Sequence, residues 1–303
     1  MGTGDFAVPP LLALVESRHD VVVAVSQPDR PRGRGLKTTP TPVHFAAAAQ
    51  GIPVWQPESL RDAPARETLM SYQPELVVVA AYGRILPAWV WTDPPLGAIN
   101  IHGSILPHYR GAAPIQRAVI NGDPETGVTI VKVAPEVDTG DILLTATLPI
   151  EADDTAGDMF GKLSVIGAEL LLDALDLMES GRAVWRPQPD AATQAPKIDK
   201  AEAKINWQGD AIGLKNLVRG LNSDPGAYFM FAGNRVKVWR AAALPLAVSA
   251  APGTIVEITD AGPVVACGSG ALLLSEVQPA GRARLTGADF VRGYRPQPGA
   301  VVE

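Results

Sequence analysis

The chain has 303 residues, of which 47% are hydrophobic and 19% are charged, a balance typical of a globular protein with a sizeable core and room for two domains. It has no uninterrupted apolar run near the ~18 residues that a membrane helix needs, and its first residues lack the pattern of a secretory signal. Its single cysteine, Cys267, excludes an internal disulfide and a metal cluster built from cysteines. We therefore expect a cytoplasmic protein without a membrane segment.

The charge is unevenly distributed along the chain. The net charge is −6, but residues 197–303 carry +3 and residues 1–196 carry −9. A basic segment on an acidic protein is typical of a chain that binds a polyanion. A randomly uneven surface explains these numbers about as well, so both interpretations stay open on charge alone.

The first half of the chain alternates apolar runs with helical patterns. The strand candidates are residues 21–25, 76–80, 98–102 and 128–133. The predicted helices are residues 8–16, 43–50, 63–71, 112–121 and a long one at 155–178. Val-rich strands that alternate with helices are typical of a parallel sheet covered on both faces, so we predict an α/β domain over residues 1–185.

The N-terminus departs from this pattern. A doubly wound sheet normally opens with a strand, then a glycine-containing turn, then a helix. Here the turn residues Gly2-Thr3-Gly4 come first and the helix at 8–16 follows at once. We therefore expect the first strand to be missing, and an assigned start several codons too late would explain it. Its loss would expose the backbone edges of both neighbouring strands.

The last hundred residues predict a domain of another kind. A Pro-rich linker at residues 186–200 precedes a helix at about 210–221. Five short strands follow, at residues 227–232, 235–240, 253–258, 263–266 and 271–277. Short strands at this spacing favour a small OB-like β-barrel over residues 201–303.

Three polar side chains could meet at one edge of the first sheet. Asn100 and His102 lie two positions apart at the end of a strand, and Asp138 lies in a turn-rich loop after the strand at 128–133. An amide can donate to an oxyanion, an imidazole can move a proton, and a carboxylate can orient the imidazole. The set suits acyl transfer to an amine without a metal or a covalent nucleophile. A lone histidine near a strand end is more often structural, so the pattern alone favours catalysis only as the minority interpretation.

Five motifs spread over the chain form a specific set. They are NIHGSILPHYRGAAPIQR at 100–117, NGDPETGVTI at 121–130, VDTGDIL at 137–143, QPDRPRGRG at 27–35 and QPAGR at 278–282. This set closely resembles the methionyl-tRNA formyltransferase family, a branch of the formyltetrahydrofolate-dependent transferases, and the resemblance covers essentially the whole chain. It implies a Rossmann-like formyltransferase domain followed by an OB-like domain.

The resemblance also implies the reaction and its site. The formyl group of 10-formyltetrahydrofolate would pass to the amino group of methionyl-initiator-tRNA, for translation initiation, and no metal would take part. Asn100, His102 and Asp138 would be the catalytic residues. The folate-binding residues would be Ser104, Ile105, Leu106, Pro107, Tyr82, Gly83 and Leu86.

Basic residues would contact the tRNA. In the family the loop at 30–37 approaches the acceptor end, although without the resemblance it reads as a solvated surface loop. The expected tRNA contacts are Arg30, Arg32, Arg34, Lys37 and Arg219. Further candidates for a sequence-independent surface are Lys197, Lys200, Lys204, Arg235, Lys237, Arg282 and Arg284. A monomer is the default expectation.

Departures and rival functions remain open. Position 4 is Gly where the family usually has Pro, and residues 222–225 differ from the usual Pro- and aromatic-bearing version. A transferase for glycinamide ribonucleotide usually lacks the second domain, and one for a nucleotide sugar usually lacks the basic loop and Gln116-Arg117. A formyltetrahydrofolate hydrolase normally carries a preceding regulatory domain. A non-catalytic tRNA- or nucleotide-binding protein is a further class, against which the intact Asn100, His102 and Asp138 argue.

Overall fold

The structure, a computed structural model, describes residues 1–32 and 37–303. The chain forms two compact units. The first contains Met1–Pro114, Glu125–Pro149 and Phe160–Pro196, and the second contains Ile115–Pro124, Ile150–Met159 and Lys197–Glu303. The domain bounds that we expected from the sequence stay a prediction.

The helices begin where the sequence provides starting signals. They are α1 (Val8–Glu16), α2 (Pro42–Ala49), α3 (Ala63–Ser71), α4 (Trp89–Thr92), α5 (Pro114–Asn121), α6 (Ala156–Glu179), α7 (Ala211–Gly220) and α8 (Gly287–Tyr294), with 3-10 turns at Asp5–Ala7 and Lys200–Ala203. In α1, α2 and α3 a proline lies in the first turn, where its fixed φ suits a helix and its missing N–H costs nothing. The predicted helices at 8–16 and 63–71 are confirmed to the residue.

The strands are shorter than the apolar runs in several places. They are β1 (Ala24–Val25), β2 (Arg30–Arg32), β3 (Lys37–Thr39), β4 (Val54–Trp55), β5 (Val77–Val79), β6 (Ala98–His102), β7 (Arg110–Gly111), β8 (Glu125–Lys132), β9 (Ile142–Pro149), β10 (Gln194–Ala195), β11 (Tyr228–Phe231), β12 (Asn234–Leu244), β13 (Ile255–Thr259), β14 (Gly262–Ala266), β15 (Ala271–Pro279) and β16 (Leu285–Thr286). Among the described residues, no helix is both long and apolar enough to cross a membrane.

The main sheet of the first unit has the order β5-β6-β8-β9. β5 and β6 run parallel, as do β1 and β4 in a separate small sheet. The expectation that the strand at 128–133 is also parallel is wrong, because β8 is antiparallel to β6 and to β9. The connection between β8 and β9, residues 133–141, is too short for the crossover that parallel neighbours require.

The first two residues lie between β1 and β5. The Met1 amino group donates to the Val78 carbonyl at 2.6 Å, Ala80 N–H donates to the Met1 carbonyl at 2.9 Å, and Gly2 N–H donates to the Val25 carbonyl at 2.9 Å. Burial lowers the pKa of the Met1 amino group to about 5. A cavity of about 460 Å³ adjoins Met1 and Gly2, and its walls include residues 21–25 and 74–78.

The second unit is an antiparallel sheet with helices α7 and α8. Its strand order is β11-β12-β15-β14-β13, with β16 paired to β15. Chain residues beyond α8 bond to both outer strands: Glu303 exchanges two backbone bonds with Met230 in β11, and Ile255 N–H in β13 donates to the Ala300 carbonyl at 2.8 Å. The core of the unit is apolar and includes Trp207, Leu221, Phe229, Val238, Leu272 and Phe290.

Candidate active site

Asn100, His102 and Asp138 lie together in the first unit. Asn100 and His102 belong to β6, and Asp138 lies in the connection between β8 and β9. Asn100 Nδ2 donates to Asp138 Oδ1 at 3.1 Å, and His102 Nδ1 is 3.5 Å from Asp138 Oδ2. The side chains of His102 and Asp138 are 5% and 10% exposed. A half-buried amide, a buried imidazole and a largely buried carboxylate therefore converge. Their catalytic roles stay a prediction.

Asp138 reaches β6 by a route that the sequence pattern did not indicate. We expected the loop to follow the carboxyl end of a parallel strand, but β8 is antiparallel and Lys132 pairs with Ile99 at the start of β6. The loop folds back over its own strand at Gly140. A Cβ atom at this position would lie 2.0 Å from the Lys132 carbonyl oxygen, so only glycine allows the approach.

Two residues of the site have a left-handed backbone that non-glycine residues seldom adopt. The φ angle is 61° at Tyr109 and 56° at Asp138. Such a conformation costs on the order of 1 kcal/mol or more, so surrounding contacts must hold it. Tyr109 N–H donates to Thr193 Oγ1 at 2.8 Å, and the Asp138 carboxylate accepts from Gly111 N–H at 2.9 Å.

The hydrogen bonds of His102 define its tautomer. Its Nε2 lies 3.0 Å from the Tyr109 carbonyl oxygen. A carbonyl oxygen can only accept, so Nε2 carries a proton in this arrangement. Its Nδ1 faces the Asp138 carboxylate, and the two form an ion pair only when the ring carries both protons.

Thr129 supports the segment 104–107, although the sequence patterns did not indicate it as a site residue. Its Oγ1 donates to the Ser104 carbonyl at 2.8 Å and accepts from Leu106 N–H at 3.2 Å. The side chain is fully buried in β8, opposite His102. A hydroxyl within the apolar stretch at 128–131 is the signal that could have found it, because a buried hydroxyl needs partners.

The segment at 82–86 follows β5, which pairs in parallel with β6 in the register Val79 to Asn100. It therefore begins at the carboxyl edge of the sheet, beside the end of β6. Tyr82 is buried, its Oη has no hydrogen-bond partner within the described part of the chain, and burial raises the pKa of its hydroxyl. Gly83 has a φ of 78° and lies against the Gln27 amide, and Leu86 packs against the core.

The expected tRNA residues fall in different settings. Arg30 is exposed in β2, which pairs with β3 in an antiparallel hairpin, and Arg34 lies outside the described residues. The backbone of Arg32 pairs with that of Lys37. Arg219 is half-buried in α7, where its guanidinium donates to the carbonyls of Glu151 and Asp154, each at 3.2 Å.

Asp29 anchors the start of the β2–β3 hairpin. Its Oδ1 accepts from Thr41 N–H at 3.0 Å and from Gln56 Nε2 at 2.7 Å, and its Oδ2 lies 2.9 Å from His44 Nδ1. Desolvation works against the charged form of Asp29, but these hydrogen bonds outweigh it and hold the pKa of the carboxyl below its usual range. These bonds fix the position at which the β2–β3 hairpin begins.

Within residues 1–32 and 37–303 there is no group of three or more His, Cys, Asp or Glu side chains that could hold a metal ion. The Cys267 thiol is buried in the second unit, and desolvation, together with Asp210, raises its pKa to about 11.

Two family models match the chain. The formyl transferase model matches residues 1–175, and the model of the formyl transferase C-terminal domain matches residues 197–295. A methionyl-tRNA formyltransferase of Moorella thermoacetica is 44% identical over 303 residues, covering 100% of this chain and 97% of the relative. One from Stenotrophomonas maltophilia is 46% identical over 296 residues, covering 97% of this chain and 96% of the relative.

Solved structures give the same fold at lower identity. An N-formyltransferase from Helicobacter canadensis, in complex with folinic acid and dTDP-3-aminofucose, superposes with a TM-score of 0.65 at 17% identity. The match covers 90% of this chain and 97% of that one. From the family models and the two full-length relatives, the chain belongs to the formyl transferase family and groups within it with the methionyl-tRNA formyltransferases.

Proposed function

We propose that the protein transfers the formyl group of 10-formyltetrahydrofolate to the amino group of methionyl-initiator-tRNA. The observation that carries this function is the identity of 44–46% to methionyl-tRNA formyltransferases along the whole chain. The cluster of Asn100, His102 and Asp138 supports it, because these groups suit acyl transfer to an amine. The product would serve translation initiation.

Asn100 is the oxyanion donor in this proposal. The methionyl amine attacks the formyl carbon, a C–N bond forms, and the carbonyl oxygen becomes negative. One N–H of the Asn100 amide bonds to Asp138, so the second remains to donate to the oxyanion. The bond between the formyl carbon and the folate N10 then breaks, and its electron pair stays on N10.

His102 moves the proton that this exchange releases. The attacking amine loses a proton and N10 gains one, so the transfer balances without another reactant. Nε2 is bonded to the Tyr109 carbonyl, so His102 must first give up this partner and carry its single proton on Nδ1, facing Asp138. Nε2 can then take the proton of the attacking amine and pass it to N10. Asp138 stabilises the doubly protonated ring that forms during the transfer.

The donor substrate would bind along the carboxyl edge of β5 and β6. Ser104, Ile105, Leu106 and Pro107 present main-chain groups there, and Thr129 fixes two of them from beneath. Tyr82, Gly83 and Leu86 would form the neighbouring wall. The Tyr82 hydroxyl, which has no hydrogen-bond partner among the described residues, supports this assignment. A buried hydroxyl without a partner is costly unless a ligand supplies one.

The tRNA would contact Arg30, Arg32, Arg34 and Lys37 with its acceptor end. The anchored hairpin start and the exposure of Arg30 support this proposal. Arg219 would contribute on the second unit, although three of its N–H groups already serve internal bonds. We place the enzyme in the cytoplasm as a monomer, again as a proposal.

We infer two finer features of the fold. The second unit would be a closed OB-like barrel, supported by residues 300–303 bonding to both outer strands of its sheet. The sheet of the first unit would accept one further strand between β1 and β5. The position of Met1 and Gly2 between these strands supports it. The cavity that adjoins these two residues, between residues 21–25 and 74–78, supports it as well.

A competition among acceptors tests the function. Purified chain is incubated with 10-formyltetrahydrofolate and equal concentrations of methionyl-initiator-tRNA, a dTDP-amino sugar and glycinamide ribonucleotide. We expect formyl on the methionine only. Preferential formylation of the sugar would favour the nucleotide-sugar transferases, whose fold this chain shares, and would refute the proposed acceptor.

A further inference from the structure

Gln188 lies in the Pro-rich segment that follows α6. Its neighbours Pro187 and Pro189 are exposed, whereas Gln188 is half-buried. A following proline keeps the preceding residue extended, so Gln188 sits on a stiff stretch of backbone. The side chain turns inward from this stretch, and its hydrogen bonds account for the direction.

The Gln188 carboxamide uses its whole hydrogen-bonding capacity. Nε2 donates to the carbonyls of Asp138 and Gly140, at 2.7 and 2.8 Å. Oε1 accepts from Nη2 and Nε of Arg110, at 2.7 and 3.0 Å. Two donors and two lone pairs are all that a carboxamide has. The orientation is fixed as well, because the opposite one would set Oε1 against two carbonyl oxygens.

These bonds close a ring through the candidate active site. Gly111 follows Arg110 in β7, and its N–H donates to Asp138 Oδ2 at 2.9 Å. The ring therefore runs from the Asp138 carbonyl through Gln188, Arg110 and Gly111 to the Asp138 carboxylate. It therefore holds both the main chain and the side chain of Asp138, whose backbone is left-handed.

We propose that Gln188 is a positioning residue for formyl transfer, which holds Asp138 so that its carboxylate faces Asn100 and His102. The proposal rests on the function proposed above. We call the four Gln188 hydrogen bonds the clamp. Without the clamp, the loop at 138–140 relaxes toward an ordinary backbone conformation, and the Asp138 carboxylate moves away from Asn100 and His102. Among the described residues, Gln188 bonds to none of those proposed to bind folate or tRNA, so its loss should affect turnover more than substrate binding.

Three variants separate the clamp from general effects on the segment. Gln188→Met removes all four bonds at nearly constant size. Gln188→Glu keeps an acceptor for Arg110 but loses both donations to the loop. Gln194→Met makes the same chemical change at an exposed position of β10, six residues further on, and is the matched control. Circular dichroism and the melting temperature establish which variants are folded.

Two readouts apply to the full chain. Steady-state kinetics give kcat and the KM for 10-formyltetrahydrofolate and for methionyl-initiator-tRNA. The ¹H–¹⁵N signal of Gly111 reports the Asp138 carboxylate directly, through its chemical shift and its hydrogen-exchange rate, and needs no substrate. A wild-type chain without transferase activity would refute the proposed function, while the Gly111 signal would still decide whether Gln188 positions Asp138.

The expected result is a fall in kcat of at least tenfold for Gln188→Met and Gln188→Glu, with both KM values within threefold of wild type. The Gly111 signal shifts and exchanges faster in both variants and is unchanged in Gln194→Met. The proposal is overturned if the Gln188 variants keep the wild-type Gly111 signal, or if their kcat stays within twofold of wild type.

Discussion

At the scale of single residues, the polar side chains of the candidate site stabilise one another through hydrogen bonds. The Asp138 carboxylate accepts hydrogen bonds from the Asn100 amide and the Gly111 N–H, and it faces His102. A buried carboxylate is stable only when such partners are present. The same contacts orient the amide and the imidazole at the edge of β6 where the substrates are proposed to bind.

Asn100 should act on the transition state more than on the ground state. In Asn100→Ala, kcat should fall by roughly 100- to 1,000-fold, as when one oxyanion donor is removed from comparable sites. The KM for the donor should change by less than about threefold. Steady-state kinetics with each substrate varied in turn provide the measurement. A variant that loses donor affinity but keeps kcat would remove Asn100 from this role.

Thr129 should matter for donor binding and for stability. Thr129→Val keeps the shape but leaves the Ser104 carbonyl and the Leu106 N–H without their partner, at a cost of about 1–3 kcal/mol. We expect a higher donor KM and a lower melting temperature. Thr147→Val, at an exposed position of β9, is the control. Equal behaviour of the two variants would contradict the supporting role.

The proximity of Asn100, His102 and Asp138 could be predicted, but the residues that support them could not. The motif at 100–117 and the Asp-Thr-Gly at 138–140 carried the resemblance, so Asn100, His102 and Asp138 were named together. Gln188 gave no signal, because it bonds to main-chain carbonyls that have no sequence pattern. The clamp becomes visible only when the segment after α6 is placed beside the loop at 138–140.

At the scale of elements, helices were easier to predict than strand directions. Prolines and apolar periodicity gave α1 and α3 to the residue. β9 was missed because its Thr and Ala residues alternate between half-buried and exposed positions and form no Val-rich run. The direction of β8 depends on the path of its connections, which the composition of the strand does not encode.

The β2–β3 hairpin should provide phosphate contacts. In the double variant Arg30→Ala, Arg32→Ala, the KM for tRNA should rise and the donor KM should not. The slope of log affinity against log salt should become shallower by about 2, since each phosphate contact contributes about 1. Arg61→Ala, Arg66→Ala removes two charges elsewhere in the same unit and is the control. An unchanged salt slope in the hairpin variant would refute the contacts.

The Met1 amino group should make stability depend on pH. Its pKa falls from 8.0 to about 5 on folding, so the unfolded chain binds more protons between these values. Stability of a chain that begins at Met1 should therefore be full above about pH 8 and decrease toward pH 5, by at most about 4 kcal/mol. Denaturant unfolding at pH 5, 6, 7 and 8 measures it.

An extension at the N-terminus is the matching comparison. Five β-branched residues placed before Met1 remove the charged amine from the gap between β1 and β5 and can pair with both strands. We expect the extended chain to be more stable and to lose this pH dependence. The same pH slope in both chains would show that the amine is not buried there.

At the scale of the whole molecule, the two units carry different parts of the proposed reaction. The first contains Asn100, His102, Asp138 and the donor edge, and the second is an antiparallel sheet unit with a net positive charge over residues 197–303. Both family models match, one on each side of residue 186.

Formyl transfer to methionyl-initiator-tRNA by the full chain is the most direct test of this account. The donor is 10-formyltetrahydrofolate with a ¹³C-labelled formyl group, and the amino acid released from the tRNA is weighed by mass spectrometry. The account predicts methionine carrying one labelled formyl group, formed at a rate that Asn100→Ala nearly abolishes. Unmodified methionine with a folded, donor-binding chain would contradict it.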